Sequence, residues 1–203
     1  MEVMRYMRRL MEVLTLYGSL SPPDTAAWIS AAGADYMKVD SCCGNQNHEA
    51  AFSDYRKWRN GLNATGRQIY FSLCGSNTWY APVGASLGNS WRIAGDGTNW
   101  PALSNCINLN ARLQKYAQPG AWNDPDLLQG TGIGSNDKKT NPRGCFDPTT
   151  MPQTQGCYQS EQQSRAQFSM WCVMSASLII SADVGQVSDY SLETWGNEEM
   201  IAV

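Results

Sequence analysis

Asp40 and Asp96 are the residues through which this chain could do chemistry, each closing a short apolar run. Asp40 lies in Gly33 to Gly44, GADYMKVDSCCG, whose centre from Ala34 to Asp40 reads as a short buried strand. Side chains alternate faces along a strand, so Lys38 and Asp40 point the same way. An ammonium one pleat away favours the ionised carboxylate, the state that covalent catalysis by an acid side chain needs. A structural Lys–Asp ion pair at a strand end is the plainer reading and stands beside it. Asp96 follows Ala94-Gly95, four positions after Arg92 and on the same face if the strand runs straight. Two such carboxyls, one a charged nucleophile and one a protonated acid, are what glycoside hydrolysis requires. Phosphoryl transfer through metal-bound aspartates is the competing chemistry. It would want a phosphate cradle, and no glycine-rich phosphate loop follows any apolar run.

These acids need elements to carry them. An amphipathic helix is expected over Met1 to Val13 and a strand over Val13 to Tyr17. Pro22, Pro23 and Asp24 open a second helix, capped by Asp24, with Trp28 and Ile29 facing inward and Gly33 ending it. A third helix runs near His48 to Leu62 before a turn at Asn63 to Gly66. Gln68 to Cys74 is continuous and apolar, as buried parallel strands are. Composition makes 75–90 a loop. A fourth strand, Ser90 to Asp96, a helix near Ser104 to Tyr116 and a fifth strand, Ala121 to Leu127, follow. Gly130 to Gly156 is a polar insertion, and Ser160 with Gln163 makes a capping box for the next helix. Ser177 to Asp183 is a sixth strand, again ending in aspartate. The alternation excludes a helical bundle and a β-sandwich, leaving a doubly wound open sheet or a TIM barrel.

With 203 residues, 42% of them apolar and 16% charged, the chain has room for one domain with a real core. A net charge of -3 offers no basic field for a phosphate backbone, so nucleic acid is not an expected partner. The longest apolar run, Met170 to Ile180, is too short to span a bilayer, so no membrane partner is expected. Arg5, Arg8 and Arg9 break up Met1 to Val13, which therefore lacks the apolar region of a signal peptide. Eight Trp and nine Tyr suit flat sugar faces, although aromatic residues more often simply fill cores. Seven cysteines include no CxxC pair, and His48 is the only histidine, so a zinc site is not expected. Cys145 and Cys157 bracket a loop, favouring a disulfide in an oxidising compartment. The sequon Asn63-Ala64-Thr65 points to the same secretory route.

The ordered segments YMKVDSC, NATGRQIYFSLC, WRIAGD, AWNDPDLL and SLIISAD resemble glycoside hydrolase family 27, the α-galactosidases and α-N-acetylgalactosaminidases. The match runs from about Tyr17 to the C-terminus. It implies a TIM-barrel catalytic domain, an α-galactoside oligosaccharide or glycoconjugate as substrate, no cofactor, no metal, and a secreted, lysosomal or vacuolar setting. A homodimer is left open. The resemblance further implies a retaining double displacement in which Asp40 is the nucleophile and Asp96 the acid/base. It makes Tyr17, Lys38, Arg92 and Asp126 substrate-binding residues and Cys42 a pocket-edge residue normally in a disulfide.

Three departures temper this. No segment matches the family's first two strands or its C-terminal β domain, so the expectation is an incomplete (β/α)8 barrel of about six units. Residues 1–203 would then form one partial catalytic domain, with 131–156 as its insertion. The loop after Tyr17 is too short to hold the usual partner of Cys42. Gly75-Ser76 stands where many relatives have Glu-Trp, which leaves room for an N-acetylgalactosaminide alternative. An inactive truncated barrel or carbohydrate-binding remnant is the competing reading.

Overall fold

The computed structural model describes residues 21–41, 47–97, 99–130, 159–182 and 188–203. The expected Met1–Val13 helix, the Val13–Tyr17 strand, Tyr17 itself, Cys42, Cys43, the 131–156 insertion with Cys145 and Cys157, and Asp183 lie outside the described residues.

Among the described residues four strands form one parallel sheet in chain order. They are β1 (Tyr36–Asp40), β2 (Tyr70–Cys74), β3 (Ser90–Arg92) and β4 (Trp122–Asp124). A parallel bridge joins Leu128 to Ile180 beyond β4, with Ser181 N donating to Leu128 O at 2.8 Å. The expected 177–183 strand is thus reduced, in its described part, to one bridge. Helix α1 (Pro22–Ala31) precedes β1, and α2 (His48–Ala64) crosses over to β2. A single helical turn at Thr78–Tyr80 and short α3 (Ala81–Gly84) lead to β3, and α4 (Trp100–Leu113) leads to β4. After the insertion come α5 (Glu161–Val173), α6 (Asp189–Trp195) and α7 (Glu198–Ile201). No described helix is long and apolar enough to cross a membrane.

Strand alternation sorts the side chains into two layers. Met37 and Val39 of β1 turn toward the helices and are buried with Ile29 of α1 and Phe52 and Trp58 of α2. Tyr36, Lys38 and Asp40 face the other way. On the helix side Trp91, fully buried, donates its indole N–H to Asn123 Oδ1 at 2.7 Å. Asn123 in turn donates to Leu113 O at 3.0 Å, tying β3 and β4 to the end of α4. A second core gathers Leu103, Leu128, Phe168, Trp171 and Trp195.

Four local expectations are corrected. Ser21, not Asp24, caps α1: its hydroxyl accepts from Asp24 N and Pro22 takes the first helical position. Trp28 is 44% exposed, because the buried positions of α1 are Thr25, Ala26 and Ile29. Residues 75–90 are not an open loop, since Tyr80 and Leu87 are core residues held by the short helical turns. Strand β3 ends at Arg92, and the chain bends before Asp96. The Ser160–Gln163 capping box is present as expected.

Candidate active site

Lys38, Asp40, Arg92, Asp96 and Asp126, the described residues among those named from sequence, gather at the C-terminal ends of the strands. Register places Asp40 beside Cys74 and Arg92 beside Asp124. With Ser72 paired to Ser90 two residues earlier, Cys74 and Arg92 are neighbours too. One row therefore crosses the sheet, from Asp40 through Cys74 and Arg92 to Asp124. The row behind it holds Lys38, Ser72, Ser90 and Trp122.

Lys38 Nζ lies 3.6 Å from Asp40 Oδ1, as strand parity requires. Burial opposes the lysine charge, but Cys74, Asp40 and Asp124 outweigh it and raise its pKa. Asp96 meets Arg92 across the bend, with Nη2 3.1 Å from Oδ1 and also donating to Ala94 O at 3.0 Å. The expected contact is made, but by a long arginine spanning a turn rather than along a straight strand. Arg92 Nη1 pairs with Asp126 Oδ1 at 2.7 Å and reaches Cys74 Sγ at 3.5 Å. Asp126 Oδ2 accepts from Gly97 N at 2.5 Å, so both its oxygens are engaged.

Exposure divides these groups. Asp40 and Asp96 show 44% and 75% of their side chains to solvent, whereas Arg92 and Asp126 show 3% and 2%. Asp126 also adopts φ +90°, which a non-glycine residue rarely takes. Its N–H donates to Asp124 Oδ1 at 2.8 Å, holding that conformation. Burial pushes the Asp126 carboxyl up to about 6, against the pull of Arg92 and the Gly97 N–H. Asp124 is raised as well, again through burial.

Cys74 is the functional neighbour that sequence reasoning missed. Its thiol is buried between the charged groups of adjacent strands and is not in a disulfide. Burial first, then the hydrogen bond to Asp40, pushes it up to about 11. It is therefore a neutral donor at neutral pH, not a thiolate nucleophile. The available signal was register, since residues closing two adjacent parallel strands must meet. Alkylation should read this state. At pH 8 in the native protein, Cys74 should react with iodoacetamide on the order of 100-fold more slowly than an unperturbed cysteine, and at the ordinary rate in urea. Peptide mapping of the modified sites measures this, and rapid native labelling at Cys74 would contradict it.

The Gly75 position is not an opened space. A Cβ there would lie 1.7 Å from Tyr80 Cε2, and Tyr80 is 1% exposed. Its ring packs edge-on against Phe52 and Tyr55 and stacks on Trp79, which in turn stacks on His48 at 4.1 Å. The tyrosine already fills the direction a side chain at position 75 would take.

A parallel α/β sheet with acids and a buried arginine at its C-terminal strand ends is an arrangement shared by TIM barrels and doubly wound sheets. The family model described as alpha galactosidase A, a melibiase model, matches residues 15–146. The chain belongs to this melibiase family, glycoside hydrolase family 27. It is 32% identical over 184 residues to an alpha-galactosidase of Oryza sativa subsp. japonica, covering 88% of this chain and 36% of that protein. Alpha-galactosidase 3 of Arabidopsis thaliana is 33% identical, with 89% and 36% covered. The solved structure of alpha-galactosidase I from Mortierella vinacea matches with a TM-score of 0.69 at 25% identity, over 89% of this chain and 46% of that one. The chain thus spans between a third and a half of the length of these relatives. All three carry galactosidase names, which does not favour the N-acetylgalactosaminide alternative.

Proposed function

We propose that this chain contributes the catalytic carboxylates of a retaining α-galactosidase. The reading is carried by one observation. Asp40 and Asp96 are the accessible acids of the strand-end cluster, and a single line of contacts through Cys74 and Arg92 joins them. Asp40 attacks the anomeric carbon of a terminal α-galactoside as the bond to the leaving oxygen breaks, and Asp96 gives that oxygen its proton. The product of this step is a covalent galactosyl ester on Asp40 and a free alcohol. Asp96, now ionised, takes a proton from water; the water oxygen bonds to the same carbon and Asp40 leaves, so two inversions restore the α configuration. Lys38, its charge held by its surroundings, sets a positive charge 3.6 Å from Asp40 Oδ1 and offers further N–H donors to sugar hydroxyls. Tyr17 is proposed as a further sugar contact, on the family resemblance alone. The exposed Asn63 at the last turn of α2 supports a glycosylated protein of the secretory pathway.

The stereochemistry of turnover tests this. Nuclear magnetic resonance of the full chain acting on p-nitrophenyl α-galactoside should show α-galactose first, with the β anomer rising only by mutarotation. Asp96→Ala with azide should yield an α-configured galactosyl azide, because the nucleophile is intact. First appearance of β-galactose, or no turnover of any α-galactoside, would reject the reading.

A further inference from the structure

Asp126 lies beyond the end of β4, at φ +90°, and the chain re-enters the sheet two residues later at the Leu128 bridge. There its two edges are held by different partners. On one edge Leu128 O accepts from Ser181 N at 2.8 Å. On the other edge one side chain, Gln167 of α5, takes both exposed main-chain groups. Its Nε2 donates to Leu127 O at 2.6 Å, and its Oε1 accepts from Gln129 N at 3.0 Å. A carbonyl and an N–H two residues apart on one edge are the pair that a single residue of a neighbouring parallel strand would engage. The Gln167 amide therefore stands in for a strand residue. It is fully buried, and Gln159 Nε2 donates to the same Oε1 at 2.7 Å. A main-chain acceptor on one side and a main-chain donor on the other leave the amide a single orientation.

We infer that Gln167 is a positioning residue for the sugar site: by clamping the backbone from 127 to 129 it sets where the Asp126 carboxylate stands, and through it Arg92. The inference rests on the galactoside reading above, with Asp126 and Arg92 as sugar contacts. Arg92 Nη1 and Nη2 are held by Asp126, Asp96 and Ala94 O, while its buried Nε has no partner among the described residues. A sugar hydroxyl would satisfy that N–H, which is costly to leave unpaired. Asp126 has its own N–H bound to Asp124 Oδ1 rather than to a neighbouring strand, and the clamp on Leu127 O follows one peptide later. Misplacing a substrate-positioning group by about 1 Å can cost about 100-fold in rate.

Gln167→Glu in the full chain tests this, because one protonation state of the new side chain copies the amide and the other does not. The neutral acid donates its O–H to Leu127 O and accepts from Gln129 N and Gln159 Nε2. The carboxylate has no proton to donate and sets an anion against that carbonyl. Burial holds the introduced group above the ordinary glutamate pKa of about 4.3. The charged side chains of α5 and of the helices packed on it, Arg112, Glu161, Arg165, Asp189, Glu193, Glu198 and Glu199, are exposed. Inside, burial raises the thiols of Cys106 and Cys172, which stay neutral, and leaves Asp124 and Asp126 as the acids of the clamped segment. Those acids are common to both proteins, so the readout is the ratio of variant to wild type at each pH, per folded molecule by circular dichroism.

On p-nitrophenyl α-galactoside the kcat/KM of Gln167→Glu should stand within about threefold of wild type at pH 5 and fall on the order of 30-fold by pH 9. Inhibition by free galactose should weaken over the same range. A glutamine with only a structural role would lower the melting temperature and leave both ratios flat, which would overturn the inference. If Gln167→Glu does not fold, Gln167→Met, of similar volume but without donor or acceptor, should show both losses at every pH; wild-type values per folded molecule would overturn it. In an Asp126→Asn background Gln167→Glu should add less than about threefold at pH 9, since the two act as one unit, and a full further loss would reject action through Asp126. If Asp126→Asn leaves galactose inhibition unchanged, the sugar-contact reading fails and the inference falls with it. Weaker inhibition in Asp126→Asn beside a flat ratio in Gln167→Glu rejects the positioning role alone.

Discussion

If Asp40 is the nucleophile proposed above, Asp40→Asn should remove turnover of p-nitrophenyl α-galactoside, with kcat lowered on the order of ten-thousand-fold or more, the scale on which losing a covalent nucleophile acts. The amide has the volume and most of the hydrogen-bonding capacity of the acid but cannot form the ester. The hydrogen bond with the buried Cys74 is one the amide oxygen can keep, and the contact with Lys38 is a 3.6 Å pair near solvent. Such a pair contributes about 0–1 kcal/mol, so the melting temperature should move by no more than ~4 °C. The two readouts together separate chemistry from folding. Equal turnover by wild type and variant would reject Asp40 as nucleophile, and collapse of the melt would show a structural aspartate instead. Asp40→Ala with added azide gives a further check, because azide entering the vacated face yields the β-configured galactosyl azide.

The largest effect on stability is expected at Trp91→Ala. The indole is fully buried where β3 meets the helix layer, and a Cβ on Gly84 would already lie 2.1 Å from its ring. Truncating such a side chain costs about 3–5 kcal/mol in lost burial and cavity. It also orphans Asn123 Oδ1, a buried acceptor, for about 1–3 kcal/mol more. Whole domains hold together by only about 5–15 kcal/mol, so this single change takes most of the margin. Urea unfolding should show an insoluble product or a sharply lowered midpoint, whereas Trp91→Phe, which loses the hydrogen bond and less volume, should fall between. A Trp91→Ala loss under about 2 kcal/mol would contradict this account.

The βα order was legible because buried parallel strands leave unbroken apolar runs, of which Tyr70–Cys74 is the clearest. Lys38 and Asp40 were legible together because parity along one strand is a local rule. Parity alone does not give depth. How deeply Arg92 and Asp126 sit could not be read, because enclosure is a property of the assembled sheet. Residues 75–90 were misread because turns as short as Thr78–Tyr80 and Ala81–Gly84 carry no measurable period. The aromatic packing of Tyr80, visible only in three dimensions, makes them core. The cap of α1 moved to Ser21 because Pro22 and Pro23 occupy the first helical turn, where the missing N–H costs nothing.

The enclosed Asp126 carboxyl sets acid tolerance against readiness for catalysis. Its folded pKa of about 6 stands above the ordinary carboxyl value of 3.8, because burial disfavours the anion. The native state therefore keeps this proton where an unfolded chain would shed it. Taken alone, that linkage contributes stability present in full below about pH 4 and lost as pH rises through about 6. The ionised form, the one that pairs with Arg92, is thus favoured just where this contribution has gone. Mild acid makes the group easier to bury and leaves the arginine with Asp96 as its one remaining carboxylate partner, so conditions that best preserve the stored protein need not be those that best hold the Arg92–Asp126 pair.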